Sequence, residues 1–134
     1  GNTASMSNDD LEYIGSSLVC RNGTDMKLYF INKNSLTLDE ILQKYNIDVT
    51  NEKTGRLDSS EFSAELDGTL FCIRVKSILP KLLSTDYTIT FSNSDISSYG
   101  VVSPYSYIRR AVQGDDIQLR NLCKALYLYG RAAS

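Results

Sequence analysis

The chain has no histidine and no tryptophan, only two prolines among 134 residues, and three cysteines. Without imidazole the commonest general base near neutral pH is missing, and most simple nucleophilic schemes go with it. Without tryptophan, any flat platform for polysaccharide would fall to the nine tyrosines. No apolar run approaches the ~18–20 residues that a membrane helix needs, so membrane insertion is not expected. Neither sign of charge dominates, with a net charge of −2 and a pI near 5.1. That balance gives no electrostatic footing for nucleic acid or an anionic bilayer. The eight glycines are dispersed and form no phosphate-cradling loop. What is present is 42% apolar and 22% charged, the composition of one globular domain of ordinary length.

Cys20, Cys72 and Cys123 are far apart and form no Cys-x-x-Cys pair. Scattered thiols without histidine make a poor zinc site, and an odd count argues against a disulfide framework. Each lies inside an apolar segment and is read as a small buried residue rather than a nucleophile. No metal and no cofactor is expected. Residues 1–6 carry no pattern up to Met6 and read as a cloning remnant, leaving residues 7–134 as a single β-rich module. No signal peptide is visible, which for an excised module says nothing about secretion.

Residues 13–20 and 26–31 read as two strands joined through Asn22-Gly23, a dipeptide suited to the positive φ of a tight hairpin. Met26, Leu28 and Phe30 share one face, with Lys27 and Tyr29 on the wetter one. Residues 37–45 read as a helix: Thr37 and Glu40 have capping-box spacing, and Leu38, Ile41, Leu42 and Tyr45 form a buried stripe. A short strand is expected at 47–50 and an exposed loop at 51–58. The clearest hairpin spans 60–66 and 69–77 about Asp67-Gly68. Phe62, Ala64 and Leu66 alternate with Ser63 and Glu65, and Phe71, Ile73 and Val75 alternate with Cys72, Arg74 and Lys76. Pro80 marks a crossover turn over 78–84. Residues 86–91 return to strand with Tyr87, Ile89 and Phe91 inward, and 92–98 read as turn or loop.

Ser103-Pro104 is a helix start, with serine at the cap and proline at the first helical position. Helices are expected at about 103–113 and 116–130, the second with a stripe of Leu119, Leu122, Cys123, Leu126 and Tyr129. Hairpins followed by segregated helices give an α+β class. The architecture expected is an antiparallel β-sheet or small β-sandwich with an inserted short helix and a C-terminal helical hairpin.

The run Val101-Val102-Ser103-Pro104-Tyr105-Ser106-Tyr107, followed later by Ala125-Leu126-Tyr127-Leu128-Tyr129-Gly130-Arg131-Ala132-Ala133, resembles a module of large secreted and cell-surface proteins of Gram-positive anaerobic bacteria. Gly15-Ser16-Ser17-Leu18-Val19 is similar to the opening strand of that module. The resemblance implies a non-catalytic, β-sandwich-like accessory module in a multi-modular extracellular protein, and it transfers no catalytic residue. The helix over 37–45 departs from its pattern.

Catalytic constellations are thin. Glu61, Glu65 and Asp67 sit near one hairpin and Asp115 and Asp116 near a helix start, but no spacing makes two of them converge across a cleft. There is no Gly-x-Ser-x-Gly elbow. Asn93, Asp95 and Ser97 alternate without the glycine and closing glutamate of a calcium loop. Among the tyrosines, Tyr13, Tyr29, Tyr87 and Tyr129 are read as core rings whose hydroxyls seek an edge. Tyr99 and Tyr105 lie off any core stripe, close to Arg109 and Arg110. These four residues are the ligand-binding candidates, against the plainer reading that the rings cover a sheet–helix junction and the arginines a solvated helix face. The expected role is a non-enzymatic binding or structural module, secreted or on the cell surface, for protein interaction, adhesion or spacing. Its partner would be a protein, or a glycan of cell-wall, plant or host origin. Carbohydrate binding through exposed tyrosines is the alternative within that class, and a small glycan or peptide hydrolase using carboxylates is the rival outside it.

Overall fold

The computed structural model describes residues 6–20 and 22–106. Eight strands appear in sequence: β1 Leu11–Val19, β2 Asp25–Asn32, β3 Asn46–Asn51, β4 Gly55–Arg56, β5 Phe62–Asp67, β6 Leu70–Val75, β7 Tyr87–Ser92 and β8 Ser97–Val102. A single helix, α1 (Leu38–Lys44), joins β2 to β3, and a 3-10 turn at Pro80–Leu82 joins β6 to β7. The strands form two four-stranded antiparallel sheets, ordered β1-β2-β6-β5 and β4-β3-β7-β8. Successive hairpins thus alternate between sheets: β1β2 in the first, β3β4 in the second, β5β6 in the first, β7β8 in the second.

The period-two patterns explain the faces. In the first sheet Met26, Leu28, Phe30, Phe71, Ile73 and Val75 point inward and are buried. In the second, Val49, Tyr87, Ile89 and Phe91 do the same. The two inner faces meet in aromatic contacts. The Phe30 and Phe91 rings stand edge to face with centroids 5.3 Å apart, and Phe71 lies 6.3 Å from Phe91. One continuous core therefore lies between two layers, and the described architecture is a β-sandwich.

α1 forms where Thr37 and Glu40 predict it. The Thr37 hydroxyl accepts the Glu40 N–H at 3.1 Å, and the Glu40 carboxylate accepts the Thr37 N–H at 2.9 Å. Ile41 is fully buried where α1 packs against β3 and β5. Leu42, expected in the buried stripe, is 46% exposed. In a seven-residue helix only the Ile41 and Tyr45 line reaches the core, and Leu42 lies about 100° further round. Removing the cap with Thr37→Ala should cost about 1 kcal/mol in a urea melt, since a seven-residue helix holds little stability of its own.

Two further departures share one cause, an asparagine side chain that closes a turn. The stretch 92–98 is not all loop. The Asn93 side-chain oxygen accepts the N–H groups of Asp95 (2.9 Å) and Ile96 (3.0 Å), so the chain reverses early and Ser97 already pairs with Ser92. The expected exposed loop at 51–58 holds β4 and two buried side chains, Asn51 and Leu57. Asn51 accepts the N–H groups of Lys53 and Thr54 and donates to the Thr85 hydroxyl at 2.8 Å. Burial raises the Tyr87 phenol beside it to about 12. Tyr29, read as a core ring, stands on the outer face of the first sheet and shares a hydrogen bond with the Ser17 hydroxyl.

Cys72 is fully buried, as expected, and burial lifts its thiol to about 11, where it is no nucleophile at neutral pH. Met6 is fully buried, and a Cβ placed on Gly100 would come within 2.7 Å of the Met6 Cβ. At the C-terminal end, Ser103 Oγ accepts the Ser106 N–H at 3.3 Å, and residues 104–106 are helical. The remainder of the expected helical hairpin, from residue 107 on, lies outside the described residues.

Candidate functional site

Strand register assembles the outer face of the second sheet from residues far apart in sequence. Tyr99 on β8 pairs with Thr90 on β7, which pairs with Asp48 on β3. The next row runs Val101, Thr88, Thr50 and Arg56 across all four strands. Tyr99 is 55% exposed, and Arg56 donates to Asp48 at 2.5 Å. The face is therefore a sheet surface carrying one exposed ring, a row of hydroxyls and a guanidinium–carboxylate pair. Aromatic rings stack on the apolar faces of sugars, and carboxylate, guanidinium and hydroxyl groups hydrogen-bond to sugar hydroxyls.

At the β3–β4 end this face folds over into a cleft of about 410 Å³ between the two sheets, lined by Ile47, Asp48, Arg56, Leu57, Asp58 and Phe62. Leu57 is held there because its N–H donates to the Val49 carbonyl at 2.8 Å. Asp58 accepts the Ser60 hydroxyl at 2.6 Å and the Ser60 N–H at 2.9 Å, which holds its carboxyl below the usual carboxylate range.

Of the candidates read from sequence, Tyr99 stands on this face. Tyr105 is half-buried beyond the end of β8, where its N–H donates to the Leu83 carbonyl at 2.7 Å. Arg109 and Arg110 lie outside the described residues. Sequence reading missed Asp48 and Arg56. The alternation over 46–50 carried half of that signal, since it turns Asp48 away from Val49. The partner strand bearing Arg56 was hidden in what read as loop.

Of the carboxylates weighed for catalysis, Glu61 and Asp67 are bound into the scaffold, and Asp115 and Asp116 lie outside the described residues. Asp67 pairs with Lys27 at 3.3 Å on the outer face of the first sheet. Glu61 accepts the Asp58 N–H at 3.1 Å. Asp25, on the same outer face, receives Arg74 Nε at 2.7 Å and the Ser77 N–H at 2.8 Å. Among the described residues no cluster of three or more histidine, cysteine, aspartate or glutamate side chains could hold a metal ion. No helix among them is long and apolar enough to cross a membrane.

Sheet order, core and surface together define a two-layer antiparallel β-sandwich with a polar outer face. No family model and no curated protein matches the chain. A solved structure of the titin M10–obscurin-like 1 Ig complex is similar over 57% of this chain and 68% of that chain, at 13% identity and a TM-score of 0.34.

Proposed function

We propose that the chain is a non-catalytic binding or structural module of a multi-modular bacterial protein, secreted or displayed on the cell surface. The observation that carries this reading is the filled interior. Phe30, Phe71 and Phe91 are all fully buried and in mutual ring contact, so the centre of the sandwich is occupied by the protein's own side chains and open space is left at the β3–β4 end. Among the described residues a ligand would be met on the surface or at that cleft, where Asp48, Asp58, Glu61 and Asp67 are tied into turns and ion pairs. The resemblance of residues 101–107 and 125–133 to modules of Gram-positive surface proteins supports the same reading.

A second reading within that class, glycan binding, is favoured by the placement of Tyr99 in one row with Thr90 and Asp48. Both are tested by incubating the full chain with a panel of cell-wall, plant and host glycans and with peptides. Binding without turnover is expected, and sustained release of product would overturn the non-catalytic reading. For a bound glycan, Tyr99→Ala should weaken affinity about tenfold, roughly 1.4 kcal/mol. Unchanged affinity in that variant would remove the outer face of the second sheet as the glycan site.

A further inference from the structure

We infer that the free edge of β5 is a docking site for an extended polypeptide segment that alternates basic and apolar residues. The inference rests on the reading that the module binds partners. It begins with the hydrogen-bond phase of the β5–β6 hairpin. The Lys76 N–H donates to the Glu61 carbonyl at 2.9 Å, so ladder bonds fall at the 61/76 pair and at every second pair after it: Ser63 with Arg74, Glu65 with Cys72 and Asp67 with Leu70. The N–H and C=O groups of Phe62, Ala64 and Leu66 therefore point away from β6. β5 is the last strand of its sheet, and among the described residues nothing hydrogen-bonds to these groups, although α1 also packs against β5.

Of the other edges, β8 (Ser97–Val102) matches β5 in length and regularity but carries no charged side chain to select an occupant. β4 has two residues, and β1 carries a bulge between Tyr13 and Gly15 that turns Ile14 out to 50% exposure. Such a bulge breaks the regular spacing an added strand would need. β5 has neither device. Its outward register positions are Ser63, Glu65 and Asp67, continued by Glu61. Asp67 pairs with Lys27 and Glu61 accepts the Asp58 N–H, yet all three charged positions along this edge are acidic and Glu65 stands between the other two. Its inward positions, Phe62, Ala64 and Leu66, are apolar, with Leu66 39% exposed and Phe62 opening into the cleft beside Ile47 and Leu57.

That charge pattern selects the occupant. A second copy of this chain, paired antiparallel about Ala64, would set Asp67 opposite Glu61 twice, and like charges directly opposite are unfavourable. A strand with lysine or arginine opposite Ser63, Glu65 and Asp67 and apolar residues opposite Phe62, Ala64 and Leu66 satisfies the edge, the charges and the cleft together.

The probe is a short synthetic peptide alternating lysine with valine, compared with one alternating glutamate with valine, against the full chain labelled for amide NMR. The lysine peptide should slow hydrogen exchange at Phe62, Ala64 and Leu66 at least tenfold, and the glutamate peptide should not. Ala64→Pro removes an outward N–H and no ladder donor, so the fold should persist while affinity drops tenfold or more. Glu65→Lys should abolish the preference for the lysine peptide, and it decides the matter if the proline variant fails to fold. Protection at β8 or β1 instead, equal binding of both peptides, or full affinity in either variant would overturn the inference. Recovery of cleaved peptide would instead overturn the non-catalytic reading, so the two failures are told apart by mass spectrometry of the peptide.

Discussion

Replacing Phe91 with alanine should destabilise the protein by about 3–5 kcal/mol, the range for deleting a fully buried aromatic side chain. Three contacts place the effect at the upper end of single-residue losses. The ring meets Phe30 at 5.3 Å and Phe71 at 6.3 Å, both from the opposite sheet, and Tyr45 at 6.1 Å at the end of α1. The ring thus touches both layers and the residue that ends α1. β2, β6 and β7, which carry the three phenylalanines, cannot slide to fill the gap, because each is paired on both sides. For a domain whose total stability is about 5–15 kcal/mol, such a loss leaves a large fraction unfolded at moderate urea. Equilibrium urea melts followed by circular dichroism measure it, with Tyr99→Ala as the control. That exposed ring should cost within about 0.5 kcal/mol. A Phe91→Ala loss as small as the control would show that the sheets do not share this contact in solution.

The second large effect is acid sensitivity centred on Asp10. Its carboxylate is buried at the start of β1 and accepts Lys44 Nζ at 2.7 Å, the Tyr45 hydroxyl at 2.5 Å and Asn34 Nδ2 at 2.7 Å. The Lys44 hydrogen bond, reinforced by those from Tyr45 and Asn34, lowers the acid to about 2 from its ordinary 3.8. Burial and the same carboxylate push the Tyr45 phenol above its usual value. Because the folded-state value is the lower one, the contribution is complete above about pH 4 and is lost as pH falls toward 2. Its size is about 2 kcal/mol, from the width of that shift. The network joins the segment before β1 to α1, with the Asn8 side-chain oxygen accepting the Asp10 N–H at 2.9 Å. Acid should therefore loosen the α1 attachment as well as lower global stability. Asp10→Asn should flatten the stability curve between pH 4 and 2, read from urea midpoints at fixed ionic strength. Superimposable acid limbs in wild type and variant would show that Asp10 is not the titrating group.

Much of the local structure was legible because its causes are local. Asn22-Gly23 and Asp67-Gly68 announce their hairpins by backbone preference, and both glycines take the positive φ expected of them. Thr37 and Glu40 announce α1, and Phe71, Ile73, Val75, Tyr87, Ile89 and Phe91 announce their inward faces. Asn51 and Asn93 misled in the same way. Each reads as loop by composition, yet each uses its side chain to tighten a turn and return the chain to the sheet. Tyr99 was legible as lying off the core stripe, but the plainer reading laid it over a sheet–helix junction, whereas it is 55% exposed on the sheet. Its row with Thr90 and Asp48 was not legible, because it depends on which strand lies beside β7.

Composition, alternation and turn residues determined by themselves that this chain makes antiparallel hairpins around an aromatic core, since those rest on backbone preference and period-two burial. Only the tertiary structure decided that the hairpins alternate between two sheets and that β5 is the last strand of its sheet among the described residues. The same holds for Asp48 meeting Arg56, and Asp10 meeting Lys44 and Tyr45. These outcomes depend on pairings between residues distant along the chain, whose energies belong to the assembled layers and leave no mark on any short stretch.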